Sequence, residues 1–190
     1  MTDLEDRDPD RAIRRALVSL LPKLRRFCLA LTASQADADD LCQSTCERAI
    51  TRLDRWMPDT RLDSWLYRMA QNLHKNTVRD RTNRLRILEE QAPLFPMGTE
   101  DPAPPSDAID AIHMRRHVLA LPEAQREVLT LICVEGYSYK ECADLLDLSQ
   151  AIVTNRLFQA RTSLRQAMAM EEAPADISNR DDPPIRRVSA

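Results

Sequence analysis

At 190 residues the chain has the length of one domain or two small ones, and its net charge of −3 conceals a strong segregation. Residues 1–10 carry one Arg against five acids, residues 11–86 sixteen Lys and Arg against eight acids, and residues 87–114 six acids with no Lys or Arg. No apolar run approaches a membrane span and the acidic start is unlike a signal peptide, so a cytoplasmic protein without direct membrane insertion is expected.

Two glycines, three phenylalanines and scattered β-branched residues leave no alternating pattern, so every element is expected to be a helix. Beyond the acidic tail at 1–10, Ile13, Leu17, Leu20, Leu24, Phe27 and Leu31 form an apolar stripe, with Pro22 marking a break or restart within it. Ser34 opens a second helix whose Leu41, Cys42, Thr45, Ala49 and Leu53 can face a core. Asp37, Asp39 and Asp40 suit its N-terminal dipole, with or without a partner. Asp63 can cap a third helix bearing Leu66, Met69, Ala70 and Leu73. The run Lys75, Arg79, Arg81, Arg84 and Arg86, opposed by Asp80 alone, favours phosphate contact over a merely solvated face.

Residues 93–110 hold five prolines and several acids, which excludes a regular helix or central strand and reads as a semi-extended linker. After it, Pro122 suits the first position of a helix supplied by Val128, Leu129, Leu131, Ile132 and Val134, and Gly136 stands at its C-cap. Ser138 and Glu141 make a capping box for a short helix carrying Ala143, Leu145 and Leu146. Asp147-Leu148-Ser149 breaks it, and Ser149 can cap a longer helix with Val153, Leu157, Ala160, Leu164 and Met168 on one face. Thr154, Phe158, Arg161 and Arg165 then fall on an adjacent flank, with Asn155 just beyond. Hydroxyl, amide, guanidinium and aromatic groups there suit a DNA groove, although a solvated flank of a core helix has the same spacing. The three helices from Leu121 form a helix-turn-helix unit. Pro174, Pro183 and Pro184 with alternating charges make 171–190 a tail expected to be disordered.

The five cysteines contain no C-x-x-C and several occupy apolar positions, so small buried hydrophobes are favoured over a redox or zinc role. His113 and His117 have the i,i+4 spacing of a zinc pair, but Arg115-Arg116 lie between them and no H-E-x-x-H is present. With no P-loop and no Ser/His/Asp set, neither enzyme activity nor a cofactor is expected.

Residues 121–165 resemble region 4 of the extracytoplasmic-function (ECF) sigma factors of bacterial RNA polymerase. The likeness rests on Leu121-Pro122, Gln125-Arg126, Val128-Leu129, Glu135 to Ser138, Ala143, Leu146, Val153, Arg156-Leu157 and Ala160-Arg161. Asp39-Asp40-Leu41-Cys42-Gln43 and the Trp-Leu-Tyr-Arg-x-Ala-x-Asn run from Trp65 to Asn72 resemble region 2 of the same family. The resemblance implies two small helical domains, region 2 at 11–92 and the helix-turn-helix of region 4 at 111–170, joined by the 93–110 linker. It implies core RNA polymerase and promoter DNA as partners, with an anti-sigma factor as regulator. Asp39, Asp40, Leu41 and Gln43 would dock on the polymerase. Trp56, Arg61, Met69, Asn72, Lys75, Arg79 and Arg84 would meet the −10 element, with residues 57–62 as a specificity loop beside a pocket of Trp56, Met69 and Asn72. Ser149, Thr154, Asn155, Arg156, Phe158 and Arg161 would meet the −35 element. Where the family commonly starts its recognition helix with Pro-x-Gly-Thr-Val-Lys/Arg-Ser-Arg, this chain has Ser149 to Arg156 without that Thr or basic residue. Gln159 also stands where Arg is frequent, which implies a weaker or differently specified −35 contact, and Ser44 replaces an acid often seen after the Gln of region 2. A stand-alone helix-turn-helix regulator and, more distantly, a helical metal-dependent enzyme are the competing readings.

Overall fold

The computed structural model describes residues 9–88 and 109–172. The helices are α1 (Pro9–Thr32), α2 (Gln35–Ile50), α3 (Leu62–Leu88), α4 (Ile109–Ala120), α5 (Glu123–Leu129), α6 (Tyr139–Leu146) and α7 (Gln150–Glu172). A 3₁₀ turn at Leu53–Arg55 precedes α3, and a π-helical turn at Thr130–Val134 extends α5. The all-α fold class holds, and no strand occurs among the described residues. The acidic and C-terminal tails and the linker fall largely outside the described residues. The expectation of no helix through 110 gives way at its end, where Ile109 and Asp110 already open α4.

Helix α1 does not break at Pro22. The proline removes one helical hydrogen bond and costs about 3 kcal/mol. Leu17 lies buried before it, and Leu24, Phe27, Cys28 and Leu31 after it. Burial of a large apolar side chain contributes about 1.5–3 kcal/mol, so the stripe outweighs the proline. Ala33 then takes a left-handed turn at φ 56°, and Ser34 caps α2 by accepting from the Asp37 amide at 3.4 Å. Asp63 is not the cap of α3; it sits in the first turn, accepting from the Ser64 amide at 2.7 Å and paired with Arg61 at 2.8 Å.

Local chemistry is plainer in the second half. Pro122 is the N-cap of α5 rather than its first helical residue. Gly136 has φ +74°, and the Tyr137 amide reaches back to the Leu131 carbonyl at 2.9 Å, closing the π turn as a glycine C-cap does. Both bonds of the Ser138–Glu141 capping box form, at 3.2 and 2.8 Å. Asp147 ends α6 in the left-handed region at φ 57°, and Ser149 accepts from the Ile152 amide at 3.3 Å to start α7. Val153, Leu157 and Ala160 are buried along α7, as their spacing demands.

The two halves are packed against each other. Phe27 of α1 and Tyr67 of α3 stack with ring centroids 4.6 Å apart, and Tyr137 follows at 6.0 Å from Tyr67. Arg126 of α5 is 7% exposed and donates to the carbonyls of Ala30 and Leu31 at 2.7 and 3.2 Å, with further bonds to Leu119 and Leu121. Helix α1 has no basic residue in its last turn, so this guanidinium caps it from the other half of the chain. Burial lowers the Arg126 pKa from its ordinary value. Polar bonds ring the junction: Ser64 to the Tyr137 hydroxyl at 2.8 Å, Gln71 to Glu127 at 3.1 Å, Arg26 to Glu135 at 2.9 Å and Arg68 to the Asp144 carbonyl at 2.7 Å.

Candidate nucleic-acid interface

On α3, Asn72, Lys75 and Arg79 are exposed, and so is Arg81 between them and the helix end. Arg84 lies on the same helix, but its side chain is outside the described residues. Met69 and Asn72 line a cavity of about 200 Å³ with Trp65, Arg68, Leu73 and Asn76 of α3 and Arg48 and Arg52 from the end of α2. The amide of Asn72 can meet a base edge, Trp65 and Met69 supply an apolar wall, and the arginines attract phosphate. Trp56 is not among the lining residues; its indole nitrogen is buried without a hydrogen-bond partner. Trp65 is the aromatic that sequence reasoning passed over for this role. It stands four residues before Met69 on one helix face, a spacing visible in the sequence.

Arg61 lies between the halves. It pairs with Asp63, reaches Glu141 of the capping box at 3.1 Å and stacks 4.2 Å from the Tyr137 ring centroid. Its hydrogen bonds to Asp63 raise its pKa above the ordinary arginine value. The Asp63 carboxyl is held below its ordinary value, the bonds from Arg61 and Tyr137 outweighing its burial, the largest single influence.

Along α7, Thr154, Asn155, Phe158 and Arg161 are exposed, Phe158 at 69%. An aromatic ring this open contributes nothing to the core and is available to a thymine methyl. Ser149 is exposed and occupied as the cap. Arg161 donates to the Cys133 sulfur at 3.4 Å, which holds it against the preceding π turn. Arg156 is set apart from this flank: it is half-buried and near the buried Glu127.

The acidic segment of α2 divides in the same way. Asp40 and Gln43 face outward, Gln43 donating to Glu47 at 2.9 Å. Asp39 forms a two-pronged pair with Arg25 of α1 at 2.6 and 2.9 Å, and these bonds lower its pKa. Leu41 is only 7% exposed and packs in the core, where it orients α2.

Residues 17–84 match the model of Sigma-70 region 2, and residues 114–164 that of Sigma-70, region 4. The chain is 26% identical over 162 residues to the ECF RNA polymerase sigma factor EcfG of Rhodopseudomonas palustris, covering 85% of this chain and 88% of the relative. It is 30% identical over 141 residues to the RNA polymerase sigma-H factor of Pseudomonas aeruginosa, with coverages of 70% and 73%. Among solved structures, the sigma factor RpoE in complex with the anti-sigma factor NepR from Bartonella quintana has the same fold. The TM-score is 0.73 at 23% identity, covering 85% of this chain and 99% of that one. With both signature regions present in order along one chain, the protein belongs to the extracytoplasmic-function sigma factors of bacterial RNA polymerase.

Proposed function

We propose that this sigma factor docks on core RNA polymerase through the outer face of α2 and carries promoter specificity in two separate readers. Asp40 and Gln43, with the Arg25–Asp39 pair, present the polymerase-facing surface; an acidic face suits a protein partner, since like charge repels phosphate. The cavity at Met69 and Asn72 takes an unstacked base of the −10 strand while Lys75 and Arg79 hold the backbone. Thr154, Asn155, Phe158 and Arg161 enter the −35 groove. The protein works in the cytoplasm, where its polymerase is, and leaves the chemistry of RNA synthesis to that polymerase.

One observation carries this reading: two exposed readers, one on α3 and one on α7, sit on halves whose only covalent connection is residues 89–108, the rest of the junction being side-chain contacts that can part. Elements about 25 base pairs apart are separated by about 85 Å at about 3.4 Å per pair. A folded body of this size has a radius of gyration of about 15 Å, so the packed form cannot reach both elements. A connection of this length spans up to about 70 Å when extended, which with the two bodies covers the gap. The units that part are region 2 at 11–92 and region 4 at 111–170, and the packed form is the resting state. An anti-sigma factor stabilises that state. The groove of about 510 Å³ between α1 and α4, apolar at Pro22, Leu29 and Val118 and bordered by Arg25, Arg26 and Arg115, fits an acidic amphipathic segment of such a regulator.

The test is promoter-dependent transcription from purified core polymerase plus this chain, with dyes at the two units reporting their distance. Initiation together with loss of energy transfer on holoenzyme formation is expected. DNA binding by the chain alone, without initiation, would return the protein to the stand-alone regulators.

A further inference from the structure

Helix α6 of region 4 packs against α3 and engages two arginines there. Arg61, whose carbonyl accepts from the Trp65 amide at the start of α3, donates to the Glu141 carboxylate at 3.1 Å. Its guanidinium also stacks 4.2 Å from the Tyr137 ring centroid. Arg68 donates to the Asp144 carbonyl at 2.7 Å. Seven residues at about 100° each bring Arg61 and Arg68 to one face of α3, and Glu141 and Asp144, three apart, are neighbours on α6. Arg68 lines the cavity with Met69 and Asn72, and Arg61 belongs to the loop beside it. We propose that α6 and the −10 strand compete for this face of α3. Arg68 is a further phosphate contact of the strand, and region 4 withholds both arginines while the halves are packed.

On the −10 reading of α3 stated above, charge and hydrogen bonding set the two occupants against each other. In the packed chain Arg61 has Asp63 at 2.8 Å and Glu141 at 3.1 Å, two carboxylates to one guanidinium. A phosphate brought there meets net negative charge and is repelled. Departure of α6 leaves Arg61 and Asp63 as a neutral pair and frees Arg68 of its carbonyl. Phosphate oxygens accept from the same guanidinium N–H groups that Glu141 and Asp144 occupy.

The Arg61 and Glu141 side chains are 47% and 45% exposed, and an exposed pair of this kind adds little to stability. Arg126 holds the junction far more firmly, so the contacts of α6 act mainly on what α3 can bind. Coupling between the two occupants is reciprocal. A strand on α3 loosens region 4 by the factor by which region 4 weakens the strand.

The test uses the full chain without polymerase, dyes on the two units and a short mixed-sequence DNA strand at low salt. Adding the strand to the wild type should lower energy transfer between the units. Glu141→Gln keeps the capping box, since glutamine serves at that position. It should tighten strand binding about threefold and lower energy transfer before any strand is added. Arg68→Ala should also loosen the packing, yet weaken the strand and flatten its logarithmic salt slope by about 0.7, one phosphate contact. A strand bound at unchanged energy transfer, Glu141→Gln with wild-type affinity, or Arg68→Ala with a tightened strand would each overturn the proposal. No strand binding by any of the three chains would overturn it together with the −10 reader. Initiation with core polymerase is read separately. Its absence with the competition intact refutes the sigma function alone; initiation without the competition refutes the proposal alone.

Discussion

Helices α1–α3 and helices α4–α7 present charge to DNA in different ways. Residues 11–86 carry sixteen basic side chains against eight acidic ones, whereas residues 115–170 carry seven against six. The first half holds an excess of positive potential along α3, suited to a backbone whose phosphates are alike everywhere. The second half, nearly neutral, exposes a hydroxyl, an amide, a ring and two guanidinium groups along one side of α7. Such a flank gains little from bulk attraction and much from base edges. On the function proposed above, the difference gives more of the affinity to region 2 and more of the duplex readout to region 4. The junction between them is held chiefly by Arg126, Arg61 and Tyr137.

The largest expected effect lies at that junction. Arg126→Ala leaves the α1 carbonyls of Ala30 and Leu31 without their donor, and should destabilise the folded chain by about 3 kcal/mol in denaturant melts. Arg126→Lys should recover only part of this, because an ammonium cannot span the same carbonyls. A loss under 1 kcal/mol would show that the halves do not depend on the trans cap.

Next come the readers. Asn72→Ala should weaken discrimination at one −10 position by about 1–2 kcal/mol, and Phe158→Ala should do the same at one −35 position. Binding of each variant to pre-melted strands and to duplexes carrying all four bases separates the two. If Phe158→Ala lowered affinity evenly over all sequences, the contrast between affinity and readout would fail.

Smaller still is the response to pH. Burial raises the Glu127 pKa, against the Gln71 hydrogen bond and the fields of Lys75 and Arg156. Its contribution is fully present below the ordinary glutamate value and is lost as pH rises through the higher value in the fold. Asp63, held low, acts in the opposite direction, losing its contribution as pH falls through its folded value. Glu127→Gln should therefore remove a decline in stability on the alkaline side of the ordinary glutamate range, read as the difference between wild-type and variant melts.

The mildest change concerns salt. If the basic run from Lys75 supplies about three to five phosphate contacts, the logarithmic salt slope of holoenzyme binding is about −3 to −4.5. Arg79→Ala together with Arg84→Ala should flatten it by about 2 while sequence preference stays intact. An unchanged slope would reduce the charge on α3 to a solvated face.

What the sequence determined by itself was local. The Ser34 cap, the Ser138–Glu141 box, Gly136 at its turn, Ser149 and the buried stripe of α7 are relations between residues at most a few turns apart, and each formed as its spacing required. Exposure of Asn72, Phe158 and Arg161 followed from the same periodicity. Only the tertiary structure decided that Pro22 would be carried inside a helix and that Trp65 rather than Trp56 would wall the cavity. It alone joined Arg126 to Ala30 across 96 positions and Arg61 to Glu141 across 80. The reason is physical: a cap or a stripe is set by the fixed rise and twist of one helix. The partner of a long side chain depends on how helices far apart in sequence come to share a core, and no local spacing encodes that.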